Sequence, residues 1–231
     1  MGVEVVSLDC GDTLIYRVRD HHLVIFDILR SLGYELDMER VRYGFEEARL
    51  WWRGERRRTG RVWDEEARIS MIERMLSIIG LSCTRGLAST IGDLWLERAE
   101  YRAYDDVEPA LETLKSLGYR LIVISNSSSK RSLEVNLRRA GILGYFEVLV
   151  SSGSVGYEKP HPEIFRIASR LCHVQLDRMV HIGNDYEDDY MGASNAGMNA
   201  ILLDREGRYA DKNCIRVRRL VEVSRIIEKL C

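Results

Sequence analysis

Proline, glutamine and cysteine are scarce in this chain, and no apolar run in it is long. Of 231 residues, three are proline and five are cysteine, and Gln175 is the single glutamine. The cysteines (Cys10, Cys83, Cys172, Cys214, Cys231) are odd in number and scattered, with no CxxC or Cys/His spacing. That pattern excludes a disulfide framework and a zinc ribbon. They read as reduced thiols used for packing; Cys10 stands apart because it adjoins Asp9. No apolar stretch reaches the roughly 20 residues of a membrane span. The first residues enter a strand pattern with no signal-peptide character, so the cytoplasm is the expected location. Formal net charge is only -2, which gives no global field for a nucleic acid or a membrane surface. Internal repeats and low-complexity linkers are absent. Arginine far outnumbers lysine, a bias that fits a hot habitat and a GC-rich genome equally well.

What is present is ordinary in amount and informative in order. Hydrophobic residues make up 45% and charged residues 30%, enough for one large domain or a core with a smaller insert. Val3–Leu8 reads as a buried strand. The second half alternates: a helix over Val107–Leu117 stopped by Gly118, a strand over Arg120–Ser125, a helix over Lys130–Ala140 stopped by Gly141, and a strand over Phe146–Val150. A helix over Pro160–Cys172 follows, with proline in its first turn. Then come a strand at Met179–Ile182, a helix at Glu187–Ala196, a strand at Met198–Leu203 and a last helix at Leu220–Leu230. Apolar strands separated by helices imply a parallel sheet covered on both faces.

Residues 17–104 differ. They show helical periodicity at His21–Leu32, Met38–Arg53, Asp64–Ile79 and Thr84–Tyr101, with Trp51, Trp52, Trp63 and Trp95 among them. The basic run Arg53–Arg61 reads as a helix end and a loop with a solvated face. Roughly ninety residues of helix between the first strand and the next βα unit exceed any ordinary connection. The expected organisation is an α/β core built from 1–16 and 105–231, with a helical subdomain inserted as 17–104. The tryptophans are expected to be core.

Chemistry in open α/β sheets gathers at the carboxyl ends of the strands, and four residue groups lie at such ends. Asp9 and Asp12 follow the first strand. Ser125 and Asn126 end the second. Lys159 lies in the loop after the third. Gly183, Asn184 and Asp185, with Asp188 and Asp189, follow the fourth. A carboxylate at the lip of a first strand suits nucleophilic attack or metal binding. The acidic cluster also suits a helix N-terminus. His181, inside a strand, is expected to be a satisfied structural histidine.

The segments SLDCGDTL, VISNSS, GYEKPHPEIF and HIGNDYEDDYMGASNAGM, in that order and spacing, make the chain resemble the haloacid dehalogenase-like hydrolase superfamily over essentially its whole length. The resemblance implies a Rossmann-like parallel sheet with helices on both faces, plus an inserted α-helical cap subdomain, with substrate entering between cap and core. It implies Asp9 as nucleophile and Mg²⁺ ligand, and the Gly11 carbonyl as a second ligand. Ser125 would donate to a phosphoryl oxygen, and Lys159 would neutralise charge. Thr13 and Asn126 are the candidate substrate-binding residues. Asn184, Asp185 and Asp189 are candidate ligands, with the choice among them open.

The match departs from the family pattern at two places. Phosphatases of the superfamily carry a general acid/base Asp two residues after the nucleophile; here that position is Gly11, and Asp12 lies one residue later. Asp12 either substitutes as the catalytic acid or caps the turn, and the turn role is slightly favoured. Loss of a general acid costs about 10²–10⁴ in rate, and leaves substrates with good leaving groups accessible. Asn184 stands where the family commonly has Asp. The metal-independent 2-haloacid dehalogenases of the same superfamily lack the second Asp and carry a similar cap, but they have an aromatic residue where Cys10 stands and a less acidic fourth segment. The preferred reading is an Mg²⁺-dependent phosphatase acting on a small phosphorylated metabolite. The alternatives are a 2-haloacid dehalogenase and a catalytically impaired binding protein. No nucleic-acid or membrane partner is expected, and the chain is expected to be a monomer or homodimer.

Overall fold

The apolar runs of the second half lie side by side in one sheet in the structure, a computed structural model that describes residues 2–230; Cys231 lies outside the described residues. The chain opens with β1 (Val5–Leu8) and β2 (Ile15–Arg17). Four helices follow: α1 (His21–Ser31), α2 (Met38–Thr59), α3 (Glu65–Ile78) and α4 (Arg85–Arg98). Next come β3 (Tyr101–Ala103), α5 (Val107–Ser116), β4 (Arg120–Ser125), α6 (Lys130–Arg139) and β5 (Val148–Ser151). The rest comprises α7 (Ser152–Val155), α8 (Pro162–Cys172), β6 (Met179–Gly183), α9 (Gly192–Ala196), β7 (Asn199–Leu203), β8 (Arg216–Val217) and α10 (Val223–Ile227).

The six-stranded sheet has the order β5-β4-β1-β6-β7-β8, and its neighbouring strands run parallel. All four residues of β1 are buried, as a strand covered on both faces requires. Leu8 faces Val123 of β4 on one side and Ile182 of β6 on the other. The carboxyl ends of β4, β1 and β6 are therefore level, and the winding reverses between β1 and β6. That is where an open parallel sheet leaves a crevice.

The chain divides into two compact units, Met1–Tyr16 with Arg102–Cys231, and Arg17–Tyr101. The division falls in a two-stranded ribbon of β2 and β3, strands too short to leave a period in the sequence. The helical unit holds its own core, in which Val24, Ile28, Phe45, Trp52, Met75 and Ile91 are all buried. Asp37, Asp64 and Thr84 cap α2, α3 and α4 by accepting a hydrogen bond from the amide three residues on. The tryptophans are packing residues: Trp52 meets Trp63 edge-on at 5.5 Å, and Trp95 meets Phe45 at 5.8 Å.

Two stretches depart from the sequence pattern. The run Arg53–Arg61, expected as a helix end and loop, is helical to Thr59 and closes on Gly60 at φ 68°. The Arg58–Glu55 pair and the Thr59 hydroxyl on the Glu55 carbonyl support the last turns despite Gly54. The helix expected at Glu187–Ala196 begins as a wide π turn, Tyr186–Met191, before α9. That wide turn folds Asp189 back toward the sheet. In addition, α8 starts at Pro162 rather than Pro160, capped by His161, and the last helix is a short 3₁₀ turn (Leu220–Glu222) leading into α10.

His21 gives the helical unit a pH dependence. Its Nδ1 accepts from the Trp95 indole N–H at 3.1 Å, so the ring is bound in its neutral form. Burial, reinforced by the Arg17 and Arg49 charges, lowers its pKa from 6.5 to about 4. The unfolded chain thus binds this proton first as pH falls. Stability from the neutral ring is complete above pH 6.5 and is lost progressively down to pH 4. The expected loss is about 2–3 kcal/mol between pH 7 and pH 4.5. Unfolding free energies from urea titrations of the wild type and His21→Gln, measured at both pH values, should diverge by that amount; parallel pH dependences would contradict it.

Candidate active site

Four loops meet at the carboxyl edge of β4, β1 and β6. Asp9 follows β1 directly, and its amide donates to the Ile182 carbonyl at 2.9 Å. Its side chain is 11% exposed. Oδ1 accepts from Lys159 Nζ at 2.6 Å, while Oδ2 accepts no hydrogen bond from a described residue. Lys159 comes in from the loop before α8, its side chain 2% exposed. Its ammonium also donates to Asp189 Oδ1 at 2.5 Å and to the Ile124 carbonyl at 3.0 Å. All three protons of the ammonium are thereby matched.

Asp189 is a support for this lysine. It stands among the candidate metal ligands in the sequence. Oδ1 is held by Lys159 and by His181 Nε2 at 3.2 Å, and Oδ2 accepts from the Asp185 amide at 2.9 Å. Both oxygens are engaged inside the protein, and the side chain is 3% exposed. Asp189 lies so close to the sheet that a Cβ on Gly183 would come within 2.2 Å of its carboxylate, so Gly183 is what admits it. His181 is buried and bonded, as a structural histidine should be: its Nδ1 lies 2.9 Å from Ser7 Oγ.

The electrostatics follow from burial and proximity. Burial, opposed by Lys159 and reinforced by the Asp189 charge, raises the Asp9 pKa. Burial would also raise that of Asp189, but Lys159 and His181 outweigh it and hold the carboxyl well below the usual range. Burial works against the Lys159 charge, but the two carboxylates prevail and keep the ammonium protonated. Burial lowers the His181 pKa, so the ring is neutral. With both carboxyls ionised, as nucleophilic attack by Asp9 requires, the cluster holds two carboxylates against one ammonium, a net charge of minus one. Cys10 is buried, and burial beside Asp9 pushes its thiol far up; it is a packing residue, not a nucleophile.

The remaining sequence candidates separate into free and engaged groups. Ser125 ends β4, is nearly buried, and its hydroxyl has no described partner. Asn126 is engaged: its Oδ1 accepts from the Lys159 amide at 2.7 Å, and its Nδ2 donates to the Lys159 carbonyl at 3.0 Å and to Asp188 Oδ2 at 3.3 Å. It braces the Lys159 loop as a neighbouring strand would. Thr13 is fully buried, and its hydroxyl donates to Asn184 Oδ1 at 3.0 Å, so it too is a brace. Asp185 caps the π turn, with Oδ1 accepting from the amides of Glu187 and Asp188. Asp12 is exposed, sits at φ 57°, and is not drawn into the buried cluster. Its charge raises the Tyr104 phenol, after burial as the larger cause.

Among the described residues no group of three or more His, Cys, Asp or Glu side chains is placed to hold a metal ion. Mg²⁺ does not need such a cage: it takes one or two carboxylates and keeps several waters. The oxygens left at this edge fit it. The Gly11 carbonyl accepts no hydrogen bond from described residues, and Asp9 Oδ1 and Asn184 Oδ1 each keep a second lone pair beside their bonds from Lys159 and Thr13.

Comparison with known proteins agrees with this geometry. The profile of the haloacid dehalogenase-like hydrolases matches residues 3–197. A glyceraldehyde 3-phosphate phosphatase of Methanothermobacter thermautotrophicus is 38% identical over 134 residues, 56% of this chain and 59% of that one. A ribulose-1,5-bisphosphate 5-phosphatase of Halopiger xanaduensis is 26% identical over 76% of this chain and 72% of its own length. The chain thus spans little more than half the length of the first of these relatives. The crystal structure of a 2-haloacid dehalogenase from Pseudomonas syringae pv. Tomato superposes with a TM-score of 0.77 at 23% identity, covering 99% of this chain and 100% of the other; at that identity the likeness is one of fold. Family profile, sheet order and residue constellation converge: the chain belongs to the haloacid dehalogenase-like hydrolases.

Proposed function

We propose that this protein is an Mg²⁺-dependent phosphatase of a small phosphorylated metabolite, working through an aspartyl-phosphate on Asp9. The observation that carries the reading is the state of Asp9. One carboxylate oxygen is locked on Lys159, and the other is left without a partner at the carboxyl edge of β1. Oδ2 attacks phosphorus, and the bond from phosphorus to the ester oxygen breaks. Lys159 stays charged beside the new acyl phosphate, and the free Ser125 hydroxyl donates to a phosphoryl oxygen. Water then opens the aspartyl-phosphate. Gly11 supplies no side chain to protonate the leaving group, so ester oxygens of low basicity are favoured.

Asp9, the Gly11 carbonyl, Asn184 and Asp185 would hold Mg²⁺, whose chemistry there is to offset negative charge on a phosphate ester. The charge of the attacking form supports this: with Asp9 ionised the site stands at minus one and must accept a phosphate dianion, and a divalent cation relieves that repulsion. The phosphatase names of the two relatives support phosphate as the transferred group. The helical unit is proposed as the cap that carries substrate selectivity.

The deciding assay offers p-nitrophenyl phosphate and 2-chloropropionate, each with Mg²⁺ and with EDTA. Phosphate release that needs Mg²⁺, with no chloride release, is the expected result. Chloride released in EDTA would replace this reading with the dehalogenase; a folded protein that releases neither would be a binding protein.

A further inference from the structure

Arg205 follows β7, outside all four segments that define the family resemblance. Its side chain is only 17% exposed and is engaged on three sides. Nη1 donates to Asp106 Oδ2 at 3.0 Å. Nη2 lies 2.9 Å from Asp106 Oδ1 and donates to the backbone carbonyl of Thr13 at 2.9 Å. The guanidinium plane covers the Tyr104 ring, 4.0 Å from its centroid. Asp106 is itself anchored, because its Oδ2 accepts from the Leu220 amide at 2.6 Å.

Thr13 belongs to the turn that starts at Asp9. Within that turn the amides of Leu14 and Ile15 close on the Cys10 carbonyl, and the Asp12 amide donates to the Ile15 carbonyl. Those bonds move with the turn. Asp12 is held at φ 57°, a conformation that costs a non-glycine residue roughly 1 kcal/mol or more and persists only where the surroundings enforce it. The ties to the rest of the unit are few. Lys159 holds the Asp9 carboxylate, Asp9 N–H binds the Ile182 carbonyl, Tyr104 N–H binds the Leu14 carbonyl, the Thr13 hydroxyl binds Asn184, and Arg205 binds the Thr13 carbonyl. Among the ties to Thr13 and Leu14, that from Arg205 is the charged one, and it is backed by a buried carboxylate.

We propose that Arg205 is a positioning residue for the reaction: its planar fork fixes the Asp9–Leu14 turn against Asp106 and Tyr104, and so aims Asp9 and the Gly11 carbonyl. This rests on the reading of Asp9 as nucleophile. A merely structural Arg205–Asp106 pair would need only a cation beside Asp106. Positioning needs the fork, because Nη1 serves Asp106 Oδ2 while Nη2 serves the Thr13 carbonyl, and a lysine brings one nitrogen, on a differently shaped side chain, to both.

Arg205→Lys separates the two, with Arg205→Gln as a second variant and Asp9→Asn as the control, all in the full chain on p-nitrophenyl phosphate with Mg²⁺. The expected result for Arg205→Lys is a Tm within a few degrees of wild type, kcat lower by about 10- to 100-fold, and KM within about twofold. A kcat within twofold of wild type overturns the proposal. So does a change carried by KM, or activity in both variants that falls only in step with the folded fraction. If Asp9→Asn turns over normally, the nucleophile reading itself fails; if Asp9→Asn is dead and Arg205→Lys fully active, only the positioning role fails.

Discussion

Lys159→Met is expected to destabilise the protein by about 3–5 kcal/mol and to abolish turnover. The side chain is 2% exposed and stands between two carboxylates at 2.6 and 2.5 Å. Removing the ammonium leaves Asp9 and Asp189 buried with no cation between them, and breaking a buried pair in this way is among the costliest single changes. In a chain of this size the loss corresponds to a Tm lower by roughly 10 °C. The double variant Lys159→Met/Asp189→Asn tests the cause. It returns the cluster to its original charge of minus one, so a good part of the lost stability should come back. Activity should not, since the charge facing the phosphoryl group is still missing. A double variant no more stable than Lys159→Met would mean that lost packing, not uncompensated charge, carries the cost.

The architecture was legible because its signals are local. Runs such as Arg120–Ser125 are short and apolar, and they are bounded by glycine stops; they can be little else than strands of a covered parallel sheet. The placement of Asp9 and Ser125 at strand ends, and of Lys159 in the loop before α8, follows from that. What sequence spacing does not carry is the use to which each polar atom is put. Asn126 and Thr13 sit beside reactive residues in the chain and read as substrate contacts, yet their hydrogen-bonding groups are engaged with Lys159, Asp188 and Asn184. Asp185 and Asp189 look alike in the acidic run. Only the π turn decides that Asp189 faces inward. The extension of α2 through Gly54 depends on side-chain pairs along its surface, which outweigh one poor helix former. Arg205 and Asp106 lie 99 residues apart, with nothing in the sequence to join them. The apolar strand that runs out at Leu203 into Asp204 and Arg205 was the available signal, since charged residues just past the carboxyl end of a strand are candidates by position alone.

Asp9→Asn is expected to lower kcat by at least about 10⁴-fold, the scale of losing a nucleophile, while leaving the protein as stable as wild type or slightly more so. The two effects have one origin. Burial raises the Asp9 pKa, which means that its ionised form is held at a cost to folding. The amide keeps an oxygen for the Lys159 ammonium, and the cluster changes from a net charge of minus one to a neutral Lys159–Asp189 pair. A gain of about 1 kcal/mol would raise Tm by roughly 2–4 °C. An activity loss together with a stability gain is the signature of a residue kept for chemistry against the interest of the fold. A carboxylate kept as a structural brace behaves in the opposite way, as the buried pair between Asp106 and Arg205 should. Calorimetry of Asp9→Asn beside the wild type decides between them. A Tm several degrees lower would show Asp9 to be a strut of the sheet edge, and the case for it as nucleophile would go with it.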